Sequence, residues 1–418
     1  MSLIQTGKIE AIVDVSCSHT EAAAIPGGAI PLVQDDCVDT TVDLDSIWVY
    51  LRLTSDDQTR HLDLGALREE VDFWFTPASL DLVMGSAEGE TERIARDWLR
   101  RAGKRWRPFL AVSAFQALRD APGAALPEDL RKIAVAVECF HKASLIHDDI
   151  EDNDAERYGE KTLHEEHGVA IALNAGDLLI GEAYRLIGDS KITAAQKAEM
   201  LAVAATGMRQ LCRGQGAELC WNRAPAPLSS LQVLDIFRQK TAPAFEVALQ
   251  FGALYAGVGI HAEVAETLSA FSEALGIAYQ IRDDLIDLGS QGETNDIAGL
   301  RPSLLLAAAH ELAKMDADKA LTGALWQRQL PAGVGTGQIE ALYRELKADE
   351  RAKALLEAYK QEAIRLLRDL EIPNLKGLLR CVLGKIFNDT KIEGWRKDFE
   401  QKNGLPIPAA NAAGATAS

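Results

Sequence analysis

Two aspartate boxes of one shape, Asp148-Asp149-Ile150-Glu151-Asp152 and Asp283-Asp284-Leu285-Ile286-Asp287, lie more than a hundred residues apart in segments that otherwise read as apolar helix. Residues i and i+4 share a helix face, so Asp148 projects with Asp152 and Asp283 with Asp287. Each box is a two-carboxylate claw. Two claws facing each other across a helical bundle crowd carboxylates into a dry cavity, which a fold tolerates when cations neutralise them. Hard oxygen ligands of this kind suit Mg²⁺, whose remaining positions are filled by waters and phosphate oxygens. A lone box of this type is ordinarily a solvated acidic helix face. The apolar flanks, Ile133-Ala134-Val135-Ala136-Val137 with Leu145-Ile146 before the first and Leu275-Gly276-Ile277-Ala278-Tyr279 before the second, place both on helices with buried faces.

Composition bounds the rest. At 418 residues, with 47% apolar but only 6% aromatic residues, the chain suits an Ala/Leu-rich helical bundle with room for an appendage. The net charge of −18 is uneven: Met1 to Glu92 holds 18 acidic and 4 basic residues, a balance of −14. Such acidity argues against nucleic-acid binding, and an anionic substrate must be captured by local cations and Mg²⁺. Cys17, Cys37, Cys139, Cys212, Cys220 and Cys381 show no metal-binding spacing, which predicts reduced thiols and a cytoplasmic setting. No apolar run is long enough to span a bilayer, and no basic n-region precedes an apolar core, so neither a membrane helix nor a secretory leader is predicted.

Residues 1–90 read as an acidic appendage of undefined role. It holds strand-like runs at Ile12-Val13-Asp14-Val15 and Ile47-Trp48-Val49-Tyr50-Leu51-Arg52-Leu53, with a Pro26-Gly27-Gly28 turn between them. From Thr91 the spacing of Ile94, Ala95, Trp98 and Leu99 is helical, and helical patterns continue to about Phe387. The predicted organisation is an appendage over 1–90 joined near Gly85–Gly89, an all-α catalytic domain over 91–390, and a tail over 391–418. Pro225, Pro227, Pro302 and Pro331-Ala332-Gly333-Val334-Gly335 mark loops between helices. The two boxes are the sole internal repeat.

Between Thr91 and Asn388 a colinear series of motifs resembles the trans-isoprenyl diphosphate synthase (polyprenyl synthetase) family. Gly103-Lys104-Arg105-Trp106-Arg107-Pro108 is similar to the family's GKRxRP, and His141-Lys142-Ala143-Ser144-Leu145-Ile146-His147 leads into the first box. Arg157-Tyr158-Gly159 stands where the family has RRG. Thr162-Leu163-His164, Gly176-Asp177, Gly214-Gln215, Lys240-Thr241 and Gln280 follow in order. The resemblance implies an isoprenoid-synthase bundle around a central cavity, prenyl diphosphate substrates, a homodimer and a cluster of about three Mg²⁺ ions, which take up charge developing on a leaving diphosphate. Asp148, Asp149, Asp152, Asp283, Asp284 and Asp287 are the implied metal ligands. Arg157 and Lys240 would add charge-assisted hydrogen bonds to the same diphosphate. Lys104, Arg107 and His141 would form a second anion site for isopentenyl diphosphate, and Thr241 and Gln280 would turn uncharged dipoles towards a transient carbocation.

The chain departs from the pattern twice. Tyr158 replaces the second arginine of RRG, which removes one cation from the isopentenyl site. The segment Gly289–Asp296 lacks the family's lysine, although Arg301 and Ser303 stand where a later Lys and Thr are usual. Each lost charge-assisted contact is worth about 1.5–3 kcal/mol. The expected reaction is head-to-tail prenyl transfer. A terpene cyclase or a prenyltransferase with another acceptor is the alternative that Tyr158 favours, and a non-catalytic partner subunit of a prenyl synthase is a third reading that two complete boxes disfavour. Product length should follow the helix before the first box. Ala143 and Ser144 are small, whereas Phe140 lies one turn deeper and lowers the pocket floor by roughly 5 Å. That depth predicts a geranylgeranyl-sized product.

Overall fold

The structure is a computed structural model that describes residues 64–101, 103, 105–119, 125–257, 262–288 and 301–387. Among them, helices α1 (Leu64–Trp74), α2 (Pro77–Met84), α3 (Glu90–Arg100), α4 (Trp106–Leu118) and α5 (Leu130–Asp152) lead into a short ribbon of β1 (Glu156–Arg157) and β2 (Glu160–Lys161). Then come α6 (Leu163–His167), α7 (Val169–Gly188), α8 (Ala194–Arg223), α9 (Ser230–Tyr255) and α10 (Ala262–Asp287). The chain continues through α11 (Leu304–Leu312), α12 (Asp316–Trp326), α13 (Thr336–Glu345), α14 (Ala348–Leu366) and α15 (Pro373–Phe387). The all-α architecture is as the helical periodicity predicts. The strand-like runs near Ile12 and Ile47 and the tail over 391–418 lie outside the described residues.

The middle of the bundle is built by helices that bury more than one face. α5 is apolar nearly all round at Ile133, Ala134, Val135, Ala136 and Val137, and it packs against α4 and α7. α9 packs against α4, α8 and α10, and α10 lies against α14. α8 and α9 start at reciprocal caps: Thr193 Oγ1 accepts from Gln196 N at 3.2 Å while Gln196 Oε1 accepts from Thr193 N at 3.0 Å, and Ser229 and Gln232 repeat the arrangement. α5 stops at Asn153, whose left-handed φ of +56° ends the helix directly after Asp152. α10 likewise ends at Asp287. Both boxes therefore sit at helix C-termini, where unpaired carbonyls carry partial negative charge that favours a cation.

α1 and α2 lie before the join read at Gly85–Gly89, yet Leu67, Val71, Trp74 and Leu80 belong to the same apolar core as α5. Their 3–4 spacing buries one face of α1 as it would any bundle helix. Arg96 fastens this start of the bundle, reaching Asp81 at 3.2 Å and Glu92 at 2.6 Å and donating to the backbone oxygens of Met84 and Gly85. No described helix is long and apolar enough to cross a membrane.

Candidate active site

A cavity of about 500 Å³ opens among α4, α5, α8, α9 and α10. Along α5 its wall is the stripe Val137, Phe140, Ser144, Asp148 and Asp152, at the three- and four-residue spacing of one helix face. The two carboxylates predicted to project together do so at its mouth. Asp149, one residue on, turns the other way and is 1% exposed. Arg157 Nε donates to its Oδ1, Arg157 Nη2 reaches Asp148 Oδ2 at 3.2 Å, and Asp149 Oδ2 has no hydrogen-bond partner. Burial pushes the pKa of Asp149 up to about 6 against the attraction of Arg157. Asp152 is likewise pushed up to about 6 by burial, with Arg301 opposing the rise from 3.5 Å.

The second box divides in the same way. Asp284 is 3% exposed and accepts from the backbone N–H of Leu304 at 2.7 Å, so it ties α10 to the start of α11. Asp283 and Asp287 are half-buried. Asp283 Oδ1 receives Arg282 Nη2 at 2.7 Å, and Arg282 Nη1 donates to Ile386 O at 2.7 Å, linking this box to α15. Burial raises the Asp283 pKa. Among the described residues no three carboxylate, imidazole or thiol side chains converge on one point. The geometry is one of paired carboxylates that need further oxygens from elsewhere to complete a coordination shell.

Across the cavity, Lys240 Nζ contacts Glu218 Oε2 at 2.6 Å, and Gln280 Nε2 donates to Thr241 Oγ1 at 2.8 Å. Burial works against the Lys240 charge, but Glu218 outweighs it and the ammonium's pKa is raised. The close approach of α8 to α9 sets this pair: a Cβ on Gly214 would lie 2.8 Å from the backbone nitrogen of Lys240. Glu218 is a site residue that the motif reading missed. Its signal is its place three residues after Gln215, on the same helix face. The wall beside these groups is aromatic, with Trp106 and Phe245 ring centroids 4.7 Å apart and Phe245 and Tyr279 6.2 Å apart.

Arg107 and His141, two of the residues expected to form the second anion site, meet where α4 packs on α5. Arg107 Nη1 lies 2.8 Å from His141 Nε2, and the guanidinium covers the Trp106 ring at 4.4 Å. Burial, then the Arg107 charge, holds His141 well below its usual pKa, so the imidazole is the acceptor in this contact. Arg107 Nε has no partner. Lys104 and the segment Gly289–Asp296 lie outside the described residues. Arg105, unassigned by the motif reading, is a clamp: it donates to Leu99 O at 2.7 Å and to Glu138 Oε1 at 2.8 Å. Tyr158 is 59% exposed at the tip of the β1–β2 ribbon, with φ +58° followed by Gly159 at +78°. This is the paired left-handed conformation of a tight hairpin turn, held here by a non-glycine residue at some conformational cost. Gly176 serves a different end, since a Cβ there would lie 2.4 Å from His147 Nε2, and His147 lines the cavity.

Two readings of the pocket change. Ala143 is fully buried in the core cluster and is not among the lining residues, because one residue along a helix rotates a side chain by about 100° from Ser144. Phe140 lines the wall with its ring packed edge-on against Tyr184, centroids 5.1 Å apart, but Val137 also lines the cavity one turn deeper, so Phe140 is not its floor. Ser303 caps α11 by accepting from Leu306 N at 3.1 Å, while Arg301 reaches the cavity and pairs with Asp152.

This arrangement of boxes, cations and apolar depth coincides with a family match over residues 88–333, more than half of the chain, to the polyprenyl synthetases. The chain belongs to the polyprenyl synthetase family. Relatives include a short chain isoprenyl diphosphate synthase of Methanocaldococcus jannaschii, 33% identical over 52% of this chain, and a farnesyl diphosphate synthase of Geobacillus stearothermophilus, 36% identical over 46%. These matches span 64% and 63% of the relatives' own lengths. A geranylfarnesyl diphosphate synthase of Aeropyrum pernix is 29% identical over 66% of this chain and 92% of its own. Among solved structures, a geranylgeranyl pyrophosphate synthase of Corynebacterium glutamicum, complexed with isoprenyl diphosphate and magnesium, superposes with a TM-score of 0.66. It covers 78% of this chain and 99% of that one at 24% identity, and so bears on the fold of this polyprenyl synthetase.

Proposed function

We propose that this polyprenyl synthetase condenses an allylic diphosphate with isopentenyl diphosphate, head to tail, to give a longer trans-prenyl diphosphate of geranylgeranyl size. The observation that carries the reading is the polarity of one cavity. Its mouth gathers Asp148, Asp152, Lys240 and Arg301, and its depth is lined by Val137, Phe140, Ala204 and Val247. A charged head and an apolar tail are the two ends of a prenyl diphosphate.

The donor set fits Mg²⁺: paired carboxylates one turn apart, with a buried Asp149 oxygen left without a partner beside them. Asp148 and Asp152, with Asp283 and Asp287, would hold it. When bound it supplies Lewis-acid stabilisation of charge on the departing diphosphate. Lys240 and Arg157 hold the diphosphate oxygens, and their carboxylate partners keep both cations oriented before substrate arrives. The bond between Gln280 and Thr241 fixes two neutral dipoles beside the reacting carbon, where they stabilise a cation without trapping it. The Trp106, Phe245 and Tyr279 rings exclude water and offer their π faces to the same charge. Arg107 and His141 hold the acceptor's diphosphate, and the diphosphate that departs takes the proton lost after condensation.

Purified protein supplied with allylic diphosphates, with and without isopentenyl diphosphate, should form extended prenyl diphosphates only when both are present. Pyrophosphate released at an equal rate without isopentenyl diphosphate would overturn chain elongation and favour the cyclase alternative. On product length, Val137 lines the cavity one turn, roughly 5 Å, below Phe140, so the apolar wall is at least as deep as a geranylgeranyl chain requires. Ser144→Phe places an aromatic ring one turn from Asp148 and should cut the extracted product to farnesyl size or less. An unchanged product distribution would show that another surface sets the length. Ala143→Phe should instead destabilise the core, since that position faces packed side chains.

The raised carboxylates give the metal reading a pH signature. Without a cation, Asp149 and Asp152 favour the fold most below their ordinary 3.8, and that contribution is lost as pH rises through about 6. Cation binding requires the deprotonated forms. The rise in thermal midpoint on adding Mg²⁺ with pyrophosphate should therefore be largest above about pH 7 and shrink as pH falls through 6. An equal rise at pH 5.5 and 7.5 would remove Asp152 from the metal site.

A further inference from the structure

Arg107, half of the proposed Arg107–His141 anion site, stands in the first turn of α4, and the structure shows what holds the end of α3 that leads into it. Lys142 follows His141 on α5 and is 1% exposed. Its Nζ donates to Arg101 O at 3.1 Å and would lie 3.7 Å from a Cβ built on Gly103, so the ammonium sits directly beneath these residues. Two rings flank it, Trp98 at 5.6 Å and Tyr158 at 5.7 Å from their centroids. Trp98 is itself fixed to α5, because its Nε1 donates to Lys142 O at 3.2 Å. The ribbon is tied to the same point: Arg101 Nη1 donates to Lys161 O at 3.2 Å, and Arg101 pairs with Glu166 beyond it. Arg105 grips Leu99 O, Arg100 O and Arg101 O from the side of Glu138.

We propose that Trp98, Lys142 and Tyr158 form a cation–π latch that fixes Arg101, just past the end of α3, against α5, making Lys142 and Tyr158 positioning residues for the acceptor diphosphate site. Tyr158 carries no charge to offer an anion, and its exposed ring closes the open side of the Lys142 ammonium. Burial pushes the Lys142 pKa down to about 8, with Glu138 opposing, so the charge persists at neutral pH inside its enclosure of rings and carbonyls. An ammonium in that position holds the Arg101 carbonyl without touching substrate, and Arg107, six residues on in the first turn of α4, meets His141 from the chain so anchored. The kinetic part of this inference rests on the proposed function, whereas the latch itself does not.

The test joins limited trypsin digestion to steady-state kinetics. Tyr158→Ala and Lys142→Met should speed cleavage between Arg101 and Trp106, mapped by mass spectrometry, by roughly tenfold relative to cuts elsewhere in the chain. The same variants should raise KM for isopentenyl diphosphate roughly tenfold while changing kcat and the KM for the allylic diphosphate much less. Tyr158→Phe keeps the ring and should recover most of the loss, as should Lys142→Arg. Tyr158 lies at the surface, so its alanine variant reports even where Lys142→Met fails to fold. Unchanged cleavage in Tyr158→Ala overturns the latch. Faster cleavage with an unaltered acceptor KM overturns the positioning role. Faster cleavage in a protein whose wild type makes no product from isopentenyl diphosphate supports the latch and overturns the proposed function instead.

Discussion

Asp148→Ala is expected to lower turnover by roughly 10³-fold while leaving the helical circular dichroism unchanged. The carboxylate lies at the cavity mouth, 34% exposed, and it ties to Arg157 rather than to apolar core. Its removal deletes a proposed ligand and an anchor for a cation, and it also relieves the repulsion by which the Asp148 charge helps to raise the pKa of Asp149 and Asp152. Thermal stability without metal should therefore hold or rise. Asp283→Ala is expected to act on turnover in the same direction. Asp149→Ala and Asp284→Ala differ in kind, because each removes a buried acceptor from a partner that remains, the Arg157 guanidinium in one case and the Leu304 N–H in the other. They should lose stability along with activity. Near wild-type rates in Asp148→Ala would end the metal assignment.

Lys240→Met should lower kcat by about 10²-fold and also destabilise the fold by roughly 2–3 kcal/mol, because Glu218 is left buried without its partner. The two effects separate in the double variant Lys240→Met with Glu218→Gln. Neutralising both members removes the orphaned charge, so most of the stability should return while turnover stays low. Equal stability in the single and double variants would show that the pair contributes nothing to folding. A single variant with normal turnover would take Lys240 out of the diphosphate site.

The sequence made the paired carboxylates legible because i and i+4 share a helix face whatever surrounds the helix. It did not separate Asp148 from Asp149 or Asp283 from Asp284, since which carboxylate meets the cavity and which meets Arg157 or Leu304 depends on how the helix is rolled in the bundle. The same roll put Ala143 in the core and Ser144 on the cavity. Arg105, Glu138 and Glu218 escaped notice because each acts through a partner distant in sequence, 33 residues away for Arg105 and Glu138 and 22 for Glu218 and Lys240. In α1, Leu64, Leu67, Val71 and Trp74 follow helical spacing, and the Gly85–Gly89 break is a local change in composition that the core runs across. Tyr158 was visible as a missing charge, whereas the ring's place over Lys142 needed the fold.

Each aspartate box closes a long helix, and that placement gives a bound cation a second task. The C-terminal end of a helix is already a negative pole, and α5 and α10 finish in carboxylates that add to it. An ion held by both boxes, as proposed above, would serve as a cap shared by distant parts of the chain. Loading the site should then slow amide exchange in the last turns of both helices together, so that filling the catalytic centre and completing its scaffold become one event.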